Sequence, residues 1–362
     1  MISKILILPV GVTCNLKCGY CVNNSQRDFA HFESKVMKEN ILRKIFFEAK
    51  LFVDYNKKLT IIWNGGESTL AGLDFYKMAV GLEREIFGDL EIDNGIQTNG
   101  TLIDDKWCDF FKKENFGPSI SLDGPYWLHD QLRRDARDNG TYDSVFRSYQ
   151  LMKSYKLRVG VLGVITPFNV NYPKEIMDWL EENNITSWDF LLSFEPLESD
   201  NGLSVSNSKA IDFTTKLFDI WFERNNPKIR IRTFRDMIRS ELGYKPVLCS
   251  WQRGCLKYIS FDNLGNAFLC TKFHIYPETS YGNIIEQSLL DILNSQKVEM
   301  INREVSNGQY ECRNCEWVNA CGSGCSFTRH AVYKKFDAPF VHCEVRKTLF
   351  QHIRQKIRKM SK

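Results

Sequence analysis

No apolar stretch of the chain reaches the ~18 residues that a membrane-spanning helix needs. A secretory signal is also missing: Met1 leads straight into a strand-like run, with no basic region and no small-residue cleavage site. Charge of one sign is scarce. The 48 basic and 44 acidic side chains leave +4, too little to argue for a nucleic-acid partner. Neither a short fixed-period repeat nor a low-complexity tract occurs. Together these absences lead to the expectation of a cytoplasmic protein that uses neither membrane nor nucleic acid. Nothing before Ile2 resembles a fused peptide-recognition domain. The 362 residues suggest one large domain or two, and an apolar fraction of 43% with 13% aromatic supports a sizeable core.

What the chain does have is cysteine, twelve in all. In a reducing compartment that argues for metal rather than disulfides. Cys14, Cys18 and Cys21 form a C-x3-C-x2-C stretch directly after the apolar run Ile5 to Val12. Three thiolates can hold three irons of a [4Fe–4S] cube. The fourth iron is then open to a small molecule that accepts an electron from the cluster. A zinc knuckle would want a fourth protein ligand. No cysteine lies between Cys21 and Cys108, and the near histidine is His31. Cys108 sits in a helical stretch without partner spacing and reads as a core thiol. Eight cysteines remain in the C-terminal third: Cys249, Cys255, Cys270, Cys312, Cys315, Cys321, Cys325 and Cys343. Eight ligands make two complete four-cysteine sets. Spacing alone does not separate iron–sulfur from structural zinc.

Between the cysteine groups, strand-like and helix-like segments alternate. Strands are expected at Ile5–Val12, Leu59–Trp63, Glu91–Thr98, Ser119–Leu122, Leu157–Ile165 and Trp188–Phe194. Helices are expected at Lys35–Asp54, Leu73–Phe87, Asp104–Glu114, Tyr142–Tyr155, Tyr172–Asn183 and Ala210–Arg224. Six β/α units with buried apolar strands predict a parallel sheet, short of a closed eight-unit barrel. The fold class is therefore α/β, a partial (β/α)6 barrel over residues 1–235, followed by a Cys-rich part over 236–362. In barrels the reactive groups sit at the C-terminal strand ends. The Gly-containing tails Asn64-Gly65-Gly66-Glu67, Asn99-Gly100 and Asp123-Gly124 fall there, as do the three N-terminal cysteines. Residues 236–248 read as a connector. Residues 258–261 and 267–269 flank a hairpin signal. The last stretch is an amphipathic helix with Val345, Leu349, Ile353 and Ile357 on one face. Its basic residues read as a solvated face.

The stretches "TCNLKCGYC", "NGGE", "QTNG" and "SLDG", with the eight later cysteines in order, resemble a radical S-adenosylmethionine (SAM) enzyme carrying a C-terminal SPASM domain with two auxiliary cluster sites. The nearest patterns are the anaerobic sulfatase-maturating enzymes and the maturases of ribosomally made peptides. The resemblance implies SAM and three [4Fe–4S] clusters as cofactors. Cys14, Cys18 and Cys21 would hold the SAM-binding cluster. Gly65, Gly66 and Glu67 would meet the SAM amino group. Asn99 belongs to the same implied site, and Ser121 and Asp123 would meet the ribose or the methionine end. Arg134 would pair with the SAM carboxylate, and Tyr20 would lie near the adenine. Cys249, Cys255, Cys270 and Cys325 would hold one auxiliary cluster; Cys312, Cys315, Cys321 and Cys343 would hold the other. Ser68 stands where the family usually has proline, which should change the stiffness of the turn more than its chemistry.

The implied reaction is hydrogen abstraction from a peptide side chain by a 5′-deoxyadenosyl radical, with the surplus electron leaving through the auxiliary clusters. A base must then take a proton. The sulfatase maturases carry an acid directly after the third cysteine of the first auxiliary set. Here Cys270 is followed by Thr271 and Lys272, and their strand-2 glutamine is Asn64. The expectation is therefore a maturase that cross-links a ribosomal precursor peptide, with a cyclophane-type carbon–carbon bond preferred. Sulfatase maturation, making formylglycine from Cys or Ser, is the alternative. A non-catalytic metal or electron-transfer protein is a remote third. Candidate bases are Glu195, His274 and Asp130, each of which reads more readily as an ordinary polar group. Expected partners are the precursor peptide, an electron donor such as flavodoxin or ferredoxin, and a separate leader-peptide-recognition protein unless a groove on the barrel serves.

Overall fold

The computed structural model describes residues 1–23, 36–197, 202–252, 254–310 and 312–360, so His31 lies outside the described residues. In chain order the strands are β1 (Lys4–Ile7), β2 (Leu59–Trp63), β3 (Ile92–Thr98), β4 (Gly117–Ser121), β5 (Gly160–Ile165), β6 (Ser187–Leu192), β7 (Arg230–Ile231), β8 (Tyr258–Phe261), β9 (Asn266–Phe268) and β10 (Gly282–Asn283). The chain forms two compact units. One comprises Met1–Ser121, Arg134–Gly160 and Cys255–Asn302; the other comprises Leu122–Arg133, Val161–Gly254 and Arg303–Lys362.

In the first unit the strand order is β10-β9-β8-β1-β2-β3-β4. Strands β1 to β4 run parallel. Parallel neighbours need crossovers, and helices Glu39–Ala49, Leu73–Phe87 and Asp105–Lys113 supply them. The first of these buries Ile41, Leu42, Ile45, Phe46 and Ala49; Phe52, which helical spacing put on the same face, lies beyond the helix in a short turn and is only half-buried. Asp104 caps the third by accepting from the Trp107 N–H at 3.0 Å. The β1 strand is shorter than expected because the chain turns at residues 9–12, where Gly11 has φ of 57°. The hairpin β8–β9 is present, but its placement was not foreseen: β8 lies parallel to β1, with Lys4 opposite Tyr258 and Ile7 opposite Phe261.

Behind β2 and β3 lies a buried polar chain. The Trp63 Nε1–H donates to Asn94 Oδ1 at 2.8 Å, and Asn94 Nδ2 donates to Glu83 Oε2 at 2.8 Å. Burial raises the Glu83 carboxyl to about 7; the Asn94 hydrogen bond and Arg84 oppose this, while Glu114 adds to it. The folded chain thus keeps a proton that the unfolded chain loses near the ordinary carboxyl value of 4.5. Stability from this group is full below 4.5 and declines as pH rises to about 7, at roughly 1.4 kcal/mol per pH unit. Glu83→Gln is expected to flatten the denaturation midpoint over that window. An unchanged slope would contradict the assignment.

The second unit holds β5, β6 and β7 in parallel order. Helix Asn207–Arg224 packs against the terminal helix Cys343–Met360. The basic face expected to be solvated is partly paired: Lys356 bonds Asp219 at 2.9 Å and Glu223 at 3.1 Å, and Arg354 bonds Glu241 at 2.8 Å. Helix Arg232–Glu241, with Phe234 and Met237 buried, runs into the first six residues of the expected connector. Its Asp236 is 1% exposed and accepts from the N–H groups of Val247 and Leu248 at 2.8 to 2.9 Å. That carboxylate fixes the backbone entering Cys249. Helix Tyr126–Leu132 was also unforeseen. Among the described residues no helix is long and apolar enough to cross a membrane.

Candidate functional site

In the first unit the loop after β1 carries Cys14, Cys18 and Cys21; Cys18 is buried and the other two are half-buried. Two backbone bonds lay this loop against the tail of β2: Gly66 N–H donates to Gly11 O at 2.8 Å, and Glu67 N–H donates to Thr13 O at 2.7 Å. The approach is so close that a Cβ on Gly66 would overlap the carbonyl oxygens of Thr13 and Val12. The motif's second glycine is therefore required by the cysteine loop itself.

Glu67 is 1% exposed. Its Oε1 accepts from Thr69 N at 3.0 Å, Thr69 Oγ1 at 2.6 Å and Thr98 Oγ1 at 2.6 Å; its Oε2 accepts from Asn99 N at 2.6 Å. The carboxylate was expected to pair with an ammonium. In this geometry it braces the β2 tail against the β3 tail. Asn99 continues the brace. Its Nδ2 donates to Asn15 Oδ1 at 2.8 Å and lies 3.8 Å from Cys14 Sγ, while its Oδ1 accepts from Thr101 N at 2.9 Å. Leu16 N–H also points at Cys14 Sγ, at 3.4 Å. N–H groups directed at a cysteine sulfur stabilise its thiolate form and tune a cluster bound there.

Ser68, in the family's proline position, is fully buried and makes a 2.7 Å hydrogen bond to the Tyr76 hydroxyl. The turn that lacks proline stiffness is held by this bond instead. Ser121 Oγ accepts from Gln97 Nε2 at 3.0 Å at the end of β4. Arg134 is half-buried; its carbonyl accepts from Lys17 N–H at 2.8 Å and its Nη1 donates to Asp138 O at 2.8 Å. Arg134 thus meets the cysteine loop through its backbone. Tyr20 is half-buried in the same loop. Asp123 belongs to the second unit, where it is buried and accepts from Arg133 Nε at 3.0 Å and Val164 N at 2.9 Å.

The C-terminal cysteines divide between the units. Cys255 and Cys270 lie in the first, close enough to act electrostatically on the Tyr281 hydroxyl. Burial, then these two thiols, push that hydroxyl's pKa up. It is buried without a hydrogen-bond partner among the described residues. A sulfur-rich group on Cys255 and Cys270 would satisfy it. Cys249 and Cys325 lie in the second unit, as do Cys312, Cys315, Cys321 and Cys343. The last four line one cavity of about 440 Å³ together with Trp317, Phe340 and Phe350. Burial pushes the Cys343 thiol up; Lys347 opposes this, and the neighbouring thiols of Cys321, Cys312 and Cys315 reinforce it. Four thiols facing one hole fit a cationic cluster, which would deprotonate them and bind the thiolates. Among the described residues no three His, Cys, Asp or Glu groups gather at the distances of one shared metal ion. A cube with one thiolate on each iron spreads its sulfurs apart.

Of the candidate bases, His274 is in the first unit. Its Nδ1 bonds Thr271 O, and its Nε2 is buried without a hydrogen-bond partner among the described residues. Burial holds its pKa below the usual histidine range, although the Thr271 bond and Asp262 oppose this. Glu195, in the second unit, accepts from Gly202 N at 3.0 Å. Asp130 lies half-buried on helix Tyr126–Leu132 of that unit. The sequence reading missed Thr69, Thr98, Thr101 and Tyr281, all common polar residues whose role depends on what the fold brings beside them.

Comparison with known proteins accords with these features. The family model of the radical SAM superfamily matches residues 8–181, and that of the SPASM iron–sulfur cluster-binding domain matches residues 249–316. The chain is 27% identical over 356 residues to a cysteine-type anaerobic sulfatase-maturating enzyme of Clostridium perfringens, covering 96% of this chain and 95% of that one. It is 26% identical over 344 residues to a serine-type anaerobic sulfatase-maturating enzyme of Bacteroides thetaiotaomicron, covering 90% and 83%. The solved structure of native anSMEcpe with bound AdoMet and Cp18Cys peptide matches with a TM-score of 0.85 at 25% identity, covering 99% of this chain and 98% of that chain. The strand–helix core with its cysteine loop and the Cys-rich C-terminal part thus make this chain a radical SAM enzyme with a SPASM domain.

Proposed function

We propose that the protein oxidises a cysteine or serine side chain of a protein substrate to formylglycine. The observation that carries this reading is the end-to-end match to sulfatase-maturating enzymes, across both the N-terminal core and the Cys-rich part. It reverses the order expected from the sequence, where peptide cross-linking came first. Residues 1–235 form the SAM-binding core in this reading, and 236–362 carry the auxiliary sites. Cys14, Cys18 and Cys21 hold one [4Fe–4S] cluster; Cys249, Cys255, Cys270 and Cys325 hold a second; Cys312, Cys315, Cys321 and Cys343 hold a third.

SAM and its cluster, when bound, supply the one-electron chemistry that removes a hydrogen atom from the substrate carbon. The chain's own residues hold and orient. Gly65 and Gly66 let the cysteine loop lie directly on the β2 tail that would meet the SAM amino group, Glu67 and Asn99 keep that loop in register, and Ser121, Asp123, Arg134 and Tyr20 complete the SAM contacts. His274 is the proposed proton acceptor, since burial keeps its ring neutral and Nε2 has no hydrogen-bond partner among the described residues. A flavodoxin or ferredoxin supplies electrons.

Cross-linking of a ribosomal precursor peptide is the second reading, favoured by one observation. Thr271 stands directly after Cys270, is 4% exposed and cannot act as an ordinary base. The deciding experiment is anaerobic reconstitution with iron and sulfide, then reaction with SAM, a reductant and a peptide bearing C-x-P-x-R or its serine analogue. Aldehyde trapped by a hydrazine is the expected result. SAM cleavage without aldehyde on either peptide would overturn formylglycine formation, and loss of two hydrogens from a precursor peptide would then favour cross-linking. Zinc in place of iron, with no SAM cleavage, would overturn both.

A further inference from the structure

Cys321 is approached by the guanidinium of Arg346. Arg346 Nη1 lies 3.5 Å from Cys321 Sγ, 3.0 Å from Cys321 O and 3.0 Å from Ser250 O, while Nη2 lies 3.0 Å from Ser250 Oγ. The group is also held between two rings, 3.8 Å from the centroid of Trp251 and 4.4 Å from that of Phe340. Its position is thus fixed by four polar contacts and two aromatic faces. All of these residues belong to the second unit. Gly322 extends the same arrangement: a Cβ there would overlap the Trp251 carbonyl oxygen. The segment after Cys321 therefore lies directly on the segment after Cys249.

We propose that Arg346 is a positioning residue that sets the reduction potential of the cluster on Cys312, Cys315, Cys321 and Cys343 and ties that site to the Cys249 segment. The physical argument is electrostatic. Reducing an iron–sulfur cluster adds one negative charge. A fixed cation with an N–H directed at a ligand sulfur stabilises the added charge and raises the potential. Arginine suits the task because it stays charged and its planar fork reaches Ser250 and Cys321 at once. Lysine would keep the charge without the fork. The inference rests on the reading of these four cysteines as cluster ligands.

The test is a potentiometric titration of the reconstituted full-length chain, read by electron paramagnetic resonance. The component followed is the one lost in Cys343→Ser. Arg346→Gln should reduce the ratio of reduced to oxidised cluster about tenfold at fixed potential, a midpoint ~59 mV lower for one electron. Arg346→Lys should fall between the two. If Arg346→Gln loses iron, Arg346→Lys carries the test, with iron retained and a lowered midpoint expected. An unchanged midpoint in an iron-replete variant would overturn the proposal. Loss of iron from both variants would also overturn it, by making Arg346 structural only. Absence of iron from these cysteines in the parent chain would instead overturn the ligand reading itself.

Discussion

Glu67→Ala is expected to cost roughly 4 kcal/mol or more and to abolish SAM cleavage. The substitution removes the acceptor for four donors at once: Thr69 N, Thr69 Oγ1, Thr98 Oγ1 and Asn99 N. Each buried donor left unpaired costs about 1–3 kcal/mol. The second loss is positional. Without Glu67 the tails of β2 and β3 are no longer tied, and Asn99 loses its anchor beside Cys14. Glu67→Gln separates the contributions. Its amide oxygen can replace Oε1, but its NH2 then faces the Asn99 N–H, donor against donor. A loss of about 1–3 kcal/mol with partial SAM binding is expected. The checks are chemical denaturation and SAM affinity by calorimetry on the reconstituted protein. Equal stability of parent and Glu67→Ala would show that the brace contributes nothing.

Gly66→Ala is expected to deplete the N-terminal cluster selectively. The new methyl would collide with the carbonyls of Val12 and Thr13, which are backbone and have little room to yield. Overpacking of this kind costs about 1–3 kcal/mol and displaces the neighbour. Here the neighbour is the loop leading into Cys14. Iron per chain should fall by about one cluster's worth, while the C-terminal sites keep theirs. Gly81→Ala is the control: nothing lies within 4 Å of a Cβ there, and the residue sits inside helix Leu73–Phe87. It should be neutral or stabilise by about 0.5–1 kcal/mol. Full iron in Gly66→Ala would refute the steric argument.

These effects also mark how much could be read from residues alone. Strand β2 was expected at Leu59–Trp63 and occupies those residues, because alternation and β-branching act locally. The cysteine spacings and Gly65-Gly66-Glu67 were equally visible, since each is a contiguous pattern. The roles of Thr69, Thr98 and Asn99 around Glu67 were not, because they depend on two strand ends meeting across sequence gaps. Helix Arg232–Glu241 was hidden by its charge: between many polar positions only Phe234, Asp236 and Met237 are buried. The pairing of β8 with β1 left no local trace. A hairpin signal says that two strands meet, and says nothing of the third strand that receives them. Substrate choice was the hardest to read. The end-to-end similarity favours sulfatase maturation, while Thr271 stands where the resemblance had implied an acid.

The pairing of β8 with β1 has a consequence for biosynthesis. Ile5 sits opposite Ile259, so its partner strand leaves the ribosome only after about 250 further residues. Until then β1, the strand that leads into Cys14, presents an open edge, the form of strand most prone to pair wrongly. Non-local pairing of this kind is slow to form and leaves nascent chains open to aggregation. The N-terminal cysteine loop can therefore reach its final frame only after β8 has been made. A fragment ending at residue 235 would keep that edge bare permanently.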